Sequence, residues 1–468
     1  MENKGNFRDR LSTISEEGKR VWVYPKRPKG RYFNIRSVIS YFLILIFFIG
    51  PFIKIKGDPI LLLNIIERKF ILFGVIFWPQ DFHLFVLSMI ALIVFIVLFT
   101  VIYGRLFCGW ICPQTVFMEF LYRQIEYLIE GNHSQQRKLD NQSLDLEKLL
   151  KKGSKHLVFL IISILTIIAF IAYIIGIDQT KSFLADGPAA NPAGYAALLA
   201  FSLVHYFVFA KFREQVCIIV CPYGRLQGVL LDRNSIQVSY DYKRGEPRGK
   251  YNPLENRDEA SKGDCIECGS CELVCPTGID IRNGSQLECI NCTACMDACD
   301  AVMDRTKKPR GLIRYASEQS IAEGLEWKLN ARVLFYSTLL TGLLILIAYL
   351  FSIRTDVETT ILRMQGSLFQ EYDSAHYSNI YTVQVVNKTR QEMPVKLLMK
   401  EPYGEIKMMG NELIVRKGEV MEANFLVVLP KASLKASKTM IGFVVMSGNE
   451  ELEVIESTFV GPNALDNP

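Results

Sequence analysis

Five stretches of this sequence, residues 37–53, 82–104, 156–177, 187–210 and 333–353, contain no Asp, Glu, Lys or Arg. An α-helix rises about 1.5 Å per residue, so runs near 20 residues reach across an apolar layer of about 30 Å. That pattern rules out a single soluble core, and the half of the 468 residues that are hydrophobic agrees with it. The fourth run opens on Gly187-Pro-Ala-Ala-Asn-Pro, which moves its expected start to near Gly194. A sixth apolar region, residues 59–80, is cut by Glu67-Arg68-Lys69 into halves too short to cross. It is expected to lie at the interface, to re-enter it, or to form a loop packed on the bundle.

Positive charge orients these runs. Ten Lys and Arg precede the first run, eight fall in residues 105–155 and eighteen in 211–332, against four in 54–81 and one in 178–186. The positive-inside bias puts the first three groups in the cytoplasm and the other two outside. After five crossings, everything from Arg354 onward is then outside. The first run follows 36 mostly polar residues with no cleavable-signal pattern, and is expected to remain as an anchor. A net charge of +5 is small for this length and gives no reason to expect nucleic acid.

All twelve cysteines lie between Cys108 and Cys299, on the side expected to be reducing, which favours metal ligation over disulfides. Cys265-x-x-Cys268-x-x-Cys271-x-x-x-Cys275-Pro276 is followed by Cys289-x-x-Cys292-x-x-Cys295-x-x-x-Cys299. This is the two-cluster ferredoxin spacing, in which the fourth cysteine of each run ligates the other run's cluster. One 4Fe–4S cluster is therefore assigned to Cys265, Cys268, Cys271 and Cys299, and a second to Cys289, Cys292, Cys295 and Cys275. Zinc ribbons do not crowd three thiolates in this way. Asp300 stands where the second run would ordinarily have Pro. Residues 263–310 are expected to form an inserted ferredoxin-like α+β module within a cytoplasmic region, 211–332.

The other four cysteines stand in GRLFCGWICPQ, residues 104–114, and its near mirror CIIVCPYGRLQ, residues 217–227. In Cys108-x-x-x-Cys112-Pro113 and Cys217-x-x-x-Cys221-Pro222 the spacing places both thiols on one helical face, with Pro starting a new helix. After Pro113, the residues Val116, Phe117, Phe120, Leu121, Ile125 and Leu128 form a stripe suited to the membrane surface. Cys112 and Cys221, at helix N-termini near Arg105 and Arg225, are expected to favour the thiolate. The second and fourth runs both end on the cytoplasmic face, so the four thiols can meet. Such a site suits cuprous copper, zinc or a further iron–sulfur cluster; packed core and redox disulfides are the competing readings.

His205 lies inside the fourth run and His83 near the opposite face, so a hydrogen-bonded bundle histidine is expected rather than a haem ligand. Met118, Met296 and Met303 read as gap-filling residues, and the Arg244, Arg248 and Lys250 segment as a solvated linker. Residues 354–468 carry about seven short strand patterns and no cysteine, as in an immunoglobulin-like sandwich. Asn387-Lys388-Thr389 matches a glycosylation sequon, a triplet common by chance.

The chain resembles the cytochrome c oxidase accessory protein family, called CcoG, FixG or RdxA. The resemblance rests on YPKRPKGRYFNIR, ERKFILFGVIFWPQDF, GRLFCGWICPQTVFMEFLYR, CPYGRLQGVLLD, the two ferredoxin runs ending CMDACDAVMDR, and the tail with VVNKT, from about Val21 onward. It implies a multi-domain protein of the bacterial inner membrane: a cytoplasmic segment (1–36), four spans (37–210), the cytoplasmic region with two 4Fe–4S clusters, a fifth span (333–353) and a periplasmic immunoglobulin-like domain (354–468). It further implies a cupric reductase that supplies Cu(I) for assembly of a cbb-type cytochrome oxidase, with Cys108, Cys112, Cys217 and Cys221 as the copper and redox site. The oxidase, its copper chaperones and a copper-exporting ATPase are the implied partners. The electron donor is not named by any motif, and the oligomeric state, a homodimer included, is left open. Two other classes compete: a quinol-linked electron-transfer subunit and a non-enzymatic assembly factor.

Overall fold

The computed structural model describes residues 13–462 except 16, 56, 66–68, 73–74, 78–80, 253–256, 258, 325–329, 356, 365, 367, 390, 401–403, 411–412, 435 and 449. Its chain divides into two compact units, residues 1–67 with 85–346, and residues 68–84 with 347–468. Among the described residues, five helices are long and apolar enough to cross a membrane: Arg31–Phe52, Phe82–Tyr103, Leu146–Ile175, Pro192–Phe212 and Ala331–Ser352. Polar caps set their starts. The Asp145 carboxylate accepts from the Leu146 amide at 2.7 Å, so the third helix begins ten residues before its uncharged run. Asn191 accepts from the Gly194 amide at 2.9 Å and places Pro192 at the first position of the fourth.

The spans are packed inside out relative to a soluble bundle. Ser40, Thr100, Ser163 and Ser202 are fully buried, while Phe42, Ile93, Phe95, Leu203 and Ile345 face outward. Lipid tails remove the hydrophobic drive for large side chains to hide, so close approach through small residues holds the helices together. Thr100, Thr166 and Ser202 each satisfy their hydroxyls on the carbonyl four residues back.

Among the described residues, the region between the first two spans contains short β strands. Lys54–Ile55 pairs antiparallel with Asp58–Pro59, and Leu61–Asn64 is a further strand. In the second unit Lys69–Leu72 pairs with Val75–Phe77. Runs of Ile, Leu and Phe broken by charge satisfy backbone groups more readily as short hairpins than as sub-length helices. Glu67, Arg68 and the Trp78-Pro79-Gln80 motif lie outside the described residues. Between the third and fourth spans runs a helix, Ile177–Ala190, broken at Gly187, whose φ of 75° only glycine adopts readily.

The rest of the second unit is a sandwich of antiparallel sheets. One sheet has the order Glu405–Met409, Val420–Pro430, His376–Asn387, Val357–Arg363, with Gln370–Asp373 also pairing to His376–Asn387. The other runs Leu413–Val415, Met393–Met399, Lys438–Ser447, Glu450–Val460. Among the described residues that makes nine strands rather than about seven, because Gln370–Asp373 is exposed throughout and Glu405–Met409 has no buried position. Tyr381, Val383 and Val385 alternate inward against Phe425 and Val427, and meet Phe443 and Phe459 from the facing sheet. The rings of Tyr381, Phe425 and Phe443 lie 5.5–5.7 Å apart.

Asn387, the sequon position, is fully buried. Its amide donates to the carbonyls of Gln391, Val415 and Arg416 at 2.7, 3.2 and 3.2 Å, so it staples a turn and offers no nitrogen to a glycan. Replacing it with Ala orphans these carbonyls and is expected to destabilise the second unit by about 2 kcal/mol. Denaturant-dependent proteolysis of the full-length protein reads this directly; an unchanged profile would mean water replaces the amide without loss.

Candidate metal centres

The cysteine-rich module is built onto the N-terminal end of the first span. Residues Gln237–Tyr240 and Ile313–Ala316 pair antiparallel, and the helices Ser270–Leu273 and Ala294–Arg305 carry Cys271 of the first run and Cys295 and Cys299 of the second. Gly30, at the N-cap of the first span, carries no side chain to satisfy the first amides. Asp297 of the module does so instead, accepting from the amides of Tyr32 and Phe33 at 3.1 and 2.7 Å. The carboxylate also complements the positive end of that helix. Upstream, the Lys26 amide donates to the Leu273 carbonyl at 2.8 Å.

Both cysteine runs use one local device. In Cys265-Ile266-Glu267-Cys268-Gly269, Glu267 and Gly269 have φ of 52° and 66°; in Cys289-Ile290-Asn291-Cys292-Thr293, Asn291 and Thr293 have φ of 53° and 66°. Left-handed residues either side of the second cysteine turn the chain tightly enough to aim successive cysteines inward. Three of the four are not glycine, a strain that persists only where the surroundings enforce it.

Two cavities result. The first, of about 360 Å³, is walled by Cys265, Cys268, Cys271 and Cys299 together with Tyr240, Arg282 and Met303. The second, of about 340 Å³, is walled by Cys275, Cys289, Cys292 and Cys295, with Cys271 at the boundary of both. We call them outer and inner, since Cys268 is exposed whereas Cys292 is buried. Burial pushes the thiols up, to about 12 for Cys271, Cys289 and Cys299 and to about 11 for Cys292. Such thiols become anionic only when a bonded metal takes the place of the proton. Four thiols to a cavity, with no carboxylate in the wall, suit a 4Fe–4S cube in each. Asp300 continues the second run's helix where Pro276 ends the first, and its carboxylate accepts from the Gly311 amide at 2.9 Å.

The mirrored motifs fold alike, with one correction. Cys108 lies in a short helix, Leu106–Trp110, and Cys217 in a π-helical turn, Val216–Val220. Cys112 and Cys221 are not on those helices' faces; each is the N-cap of the next helix, Pro113–Phe117 and Pro222–Leu230. The structure nonetheless brings the four together: after burial, the largest influences raising the Cys217 thiol, to about 12, are Cys112, Cys108 and Cys221. Among the described residues, no three His, Cys, Asp or Glu side chains converge on a point that holds a single ion.

The expectation of a thiolate at a helix N-terminus is overturned for Cys112, where burial raises the thiol and outweighs the amides of Thr115 and Gln114. Burial likewise raises Cys108, outweighing Arg105. Arg225 is exposed. Arg105 is the arginine of this site: it donates to Gln227 Oε1 at 2.8 Å and to the Leu287 carbonyl, and Gln227 Oε1 accepts from Cys108 Sγ at 3.3 Å.

Of the four thiols, Cys108 packs beside the inner cavity, and Cys217 lines a neighbouring cavity that shares Thr277 and Ile290 with it. Cys108 packs with Val274, Ile290, Cys292 and Ala294. A Cβ on Gly109 would run into the Ile290 carbonyl, so only glycine admits this approach. Arg36 of the first span donates to the carbonyls of Gly109 at 2.6 Å and Cys292 at 3.4 Å. Trp110 donates to the Tyr315 hydroxyl at 3.1 Å, and that hydroxyl to the Asn291 carbonyl at 3.4 Å. A further cavity of about 300 Å³ has Met118, Glu214 and Cys217 on one side and Pro276, Thr277 and Ile290 on the other. The order is thus four-thiol site, inner cavity, outer cavity, solvent.

The apolar stripe after Pro113 packs into the protein. Val116, Phe117 and Phe120 are buried, and only Leu128 of the expected stripe is strongly exposed. Its opposite side is buried too, in ion pairs of Arg123 with Glu119 at 2.9 Å, Arg213 with Glu126, and Lys155 with Glu130 at 2.8 Å. No spacing in the sequence announces this network, because its members come from three distant segments. His205 hydrogen-bonds Ser163 at 3.2 Å and Tyr122 at 3.4 Å. Arg244 is no free linker residue: it pairs with Asp264 at 2.5 Å and donates to the Arg310 carbonyl at 3.0 Å. Met296 and Met303 are buried in the core of the module.

Comparison with known proteins agrees with this geometry. A profile for 4Fe-4S dicluster domains matches residues 212–318, one for a 4Fe-4S binding domain matches residues 85–132, and one for the immunoglobulin-like fold at the C-terminus of FixG matches residues 347–462. The chain is 36% identical over 315 residues to the nitrogen fixation protein FixG of Rhizobium meliloti, covering 66% of this chain and 59% of FixG, less than two thirds of that protein. It is 33% identical to protein RdxA of Cereibacter sphaeroides, over 81% of this chain and 82% of RdxA. Protein RdxB of the same organism is 35% identical, over 80% of this chain and 81% of RdxB. Fold and cysteine sites together define a multi-pass membrane iron–sulfur electron-transfer protein. The chain belongs to the FixG family, with RdxA and RdxB.

The close approach at Gly109 yields a sharp test. Gly109→Ala is expected to destabilise the junction by about 1–3 kcal/mol, the usual cost of overpacking against backbone. Hydrogen exchange should rise in residues 286–293 and leave the sandwich unchanged; unchanged exchange at 286–293 would show that the contact is not a constraint.

Proposed function

We propose that the protein is a cupric reductase of the bacterial inner membrane, with the cysteine module cytoplasmic and the sandwich periplasmic, supporting copper supply to a cbb-type cytochrome oxidase. In this reading Cys265, Cys268, Cys271 and Cys299 hold one 4Fe–4S cluster, and Cys275, Cys289, Cys292 and Cys295 the other. When bound, the clusters supply electrons one at a time. Cys108, Cys112, Cys217 and Cys221 receive Cu(II) as substrate; one electron converts it to Cu(I), which soft thiolates hold well. Arg105 holds Gln227 against Cys108 and offsets the negative charge that metal binding brings to the buried thiols. The single observation that carries the reading is the packing of Cys108 in one cluster with Ile290 and Cys292, which sets a thiol of the proposed copper site against the wall of the inner cavity. The copper chaperones, the exporting ATPase and the oxidase are proposed partners on family grounds, and the donor is a low-potential one-electron carrier.

A second reading has its own support. The 4Fe-4S profile over residues 85–132 contains only Cys108 and Cys112 of the twelve cysteines. The four thiols would then hold a third cluster and pass electrons onward in the membrane, as a quinol-linked subunit would. Iron analysis separates the two. The cupric reductase reading expects about eight irons per chain in both the wild type and a Cys108/Cys112/Cys217/Cys221→Ser variant, with anaerobic Cu(II) reduction lost only in the variant. Twelve irons falling to eight in the variant, with copper reduction unaffected, would favour the third cluster.

A further inference from the structure

Arg36 closes the YPKRPKGRYFNIR stretch and lies in the first span, yet it is only 2% exposed. Its Nε and Nη1 donate to the carbonyls of Gly109 and Cys292, and its guanidinium carbon sits 4.9 Å over the Phe120 ring. Its Nη2 is buried with no partner. No carboxylate pairs with it among the described residues, and Glu119, which acts electrostatically on Cys292, is taken up by Arg123 at 2.9 Å. A buried cation without a counter-ion is strongly unfavourable unless an anion completes the site. The anion at hand is the thiolate-ligated group that Cys292 and its three companions would hold.

The outer site is arranged differently. Arg282 lines it but is neutralised by Asp280 at 2.7 Å and lies 3.8 Å from Glu272. Arg257 reaches the Cys265 carbonyl at 3.0 Å, but its other nitrogens are bonded to the carbonyls of Gly249 and Gly263. Cys268 is open to solvent, which screens charge there.

Resting on the two-cluster reading above, we propose that Arg36 is the fixed counter-charge of the inner cluster, raising its reduction potential relative to the outer one. A four-thiolate cluster becomes more negative on reduction, so an unneutralised cation beside it in a low-dielectric site favours the reduced form. Electrons then run from the exposed outer site to the inner one, toward the four thiols. Arg36 touches neither copper nor the thiols of the four-thiol site; it is a positioning and tuning residue.

The test is an anaerobic redox titration of the full-length, cluster-loaded protein by electron paramagnetic resonance, comparing wild type, Arg36→Gln and Arg36→Lys. The inner signal is identified as the one that Cys292→Ser alters. In Arg36→Gln the inner midpoint should move to a more negative potential while the outer stays in place, and Arg36→Lys should restore most of the shift. An inner midpoint that stays put in Arg36→Gln, or falls equally in Arg36→Lys, overturns the proposal. Should Arg36→Gln fail to retain its iron, the Lys variant decides by the same criterion. Wild-type protein without two cluster signals would refute the cluster reading itself, before Arg36 is at issue.

Discussion

The contact between the Ile290–Thr293 loop and the Gly109 backbone is the interaction on which the arrangement of this protein's chemistry depends. A soluble-type cysteine module and a membrane helix bundle meet there, with Cys108 on one side and Cys292 on the other. Three features fix the contact. Gly109 lets the backbones approach, Arg36 bridges the two carbonyls, and Asp297 caps the helix that carries Arg36. Tunnelling between redox groups falls steeply with distance, so a junction that packs Cys108 in one cluster with Cys292 is what an electron relay needs.

Energetically the region is costly. Arg36, Arg105, Arg123, Glu126 and Arg213 are all nearly inaccessible to solvent. Several are matched by opposite charge: Arg213 pairs with Glu126, and Arg123 with Glu119. Such buried pairs seldom add net stability over apolar residues of the same volume, but removing one partner is strongly destabilising. They enforce a single geometry where the segment after Pro113, the end of the fourth span and the N-terminal end of the third must meet. Of the buried arginines, Arg36 and Arg105 have no carboxylate partner among the described residues, and both face cysteine sites.

Much of this was legible in the sequence because the signals are local or periodic. Uncharged runs of membrane length gave the five helices, and the two ferredoxin spacings anticipated which cysteines would share a cavity. What escaped was set by tertiary contact. The stripe from Val116 to Leu128 reads as amphipathic only if Arg123 and Glu126 face water, and they do not, because Arg213, Glu214 and Lys155 arrive from elsewhere in the chain. A thiolate at Cys112 was expected from a helix end and a neighbouring arginine, yet burial outweighs both. Arg36 was visible only as the end of a family stretch, since nothing in its neighbourhood names Gly109 or Cys292 as partners. The strands Gln370–Asp373 and Glu405–Met409 lack an inward apolar alternation strong enough to read.

The most direct measurement of the central claim is a single-turnover experiment. Cluster-loaded protein is reduced, freed of reductant, and mixed rapidly with Cu(II) while cluster oxidation and Cu(I) formation are followed together. The expected result is matched one-electron oxidation of the clusters and appearance of Cu(I), abolished when Cys108, Cys112, Cys217 and Cys221 are Ser although both clusters remain reducible. Cluster oxidation by copper at an unchanged rate in that variant would contradict the account, because it would show that copper takes electrons at the exposed outer site without passing through the four thiols.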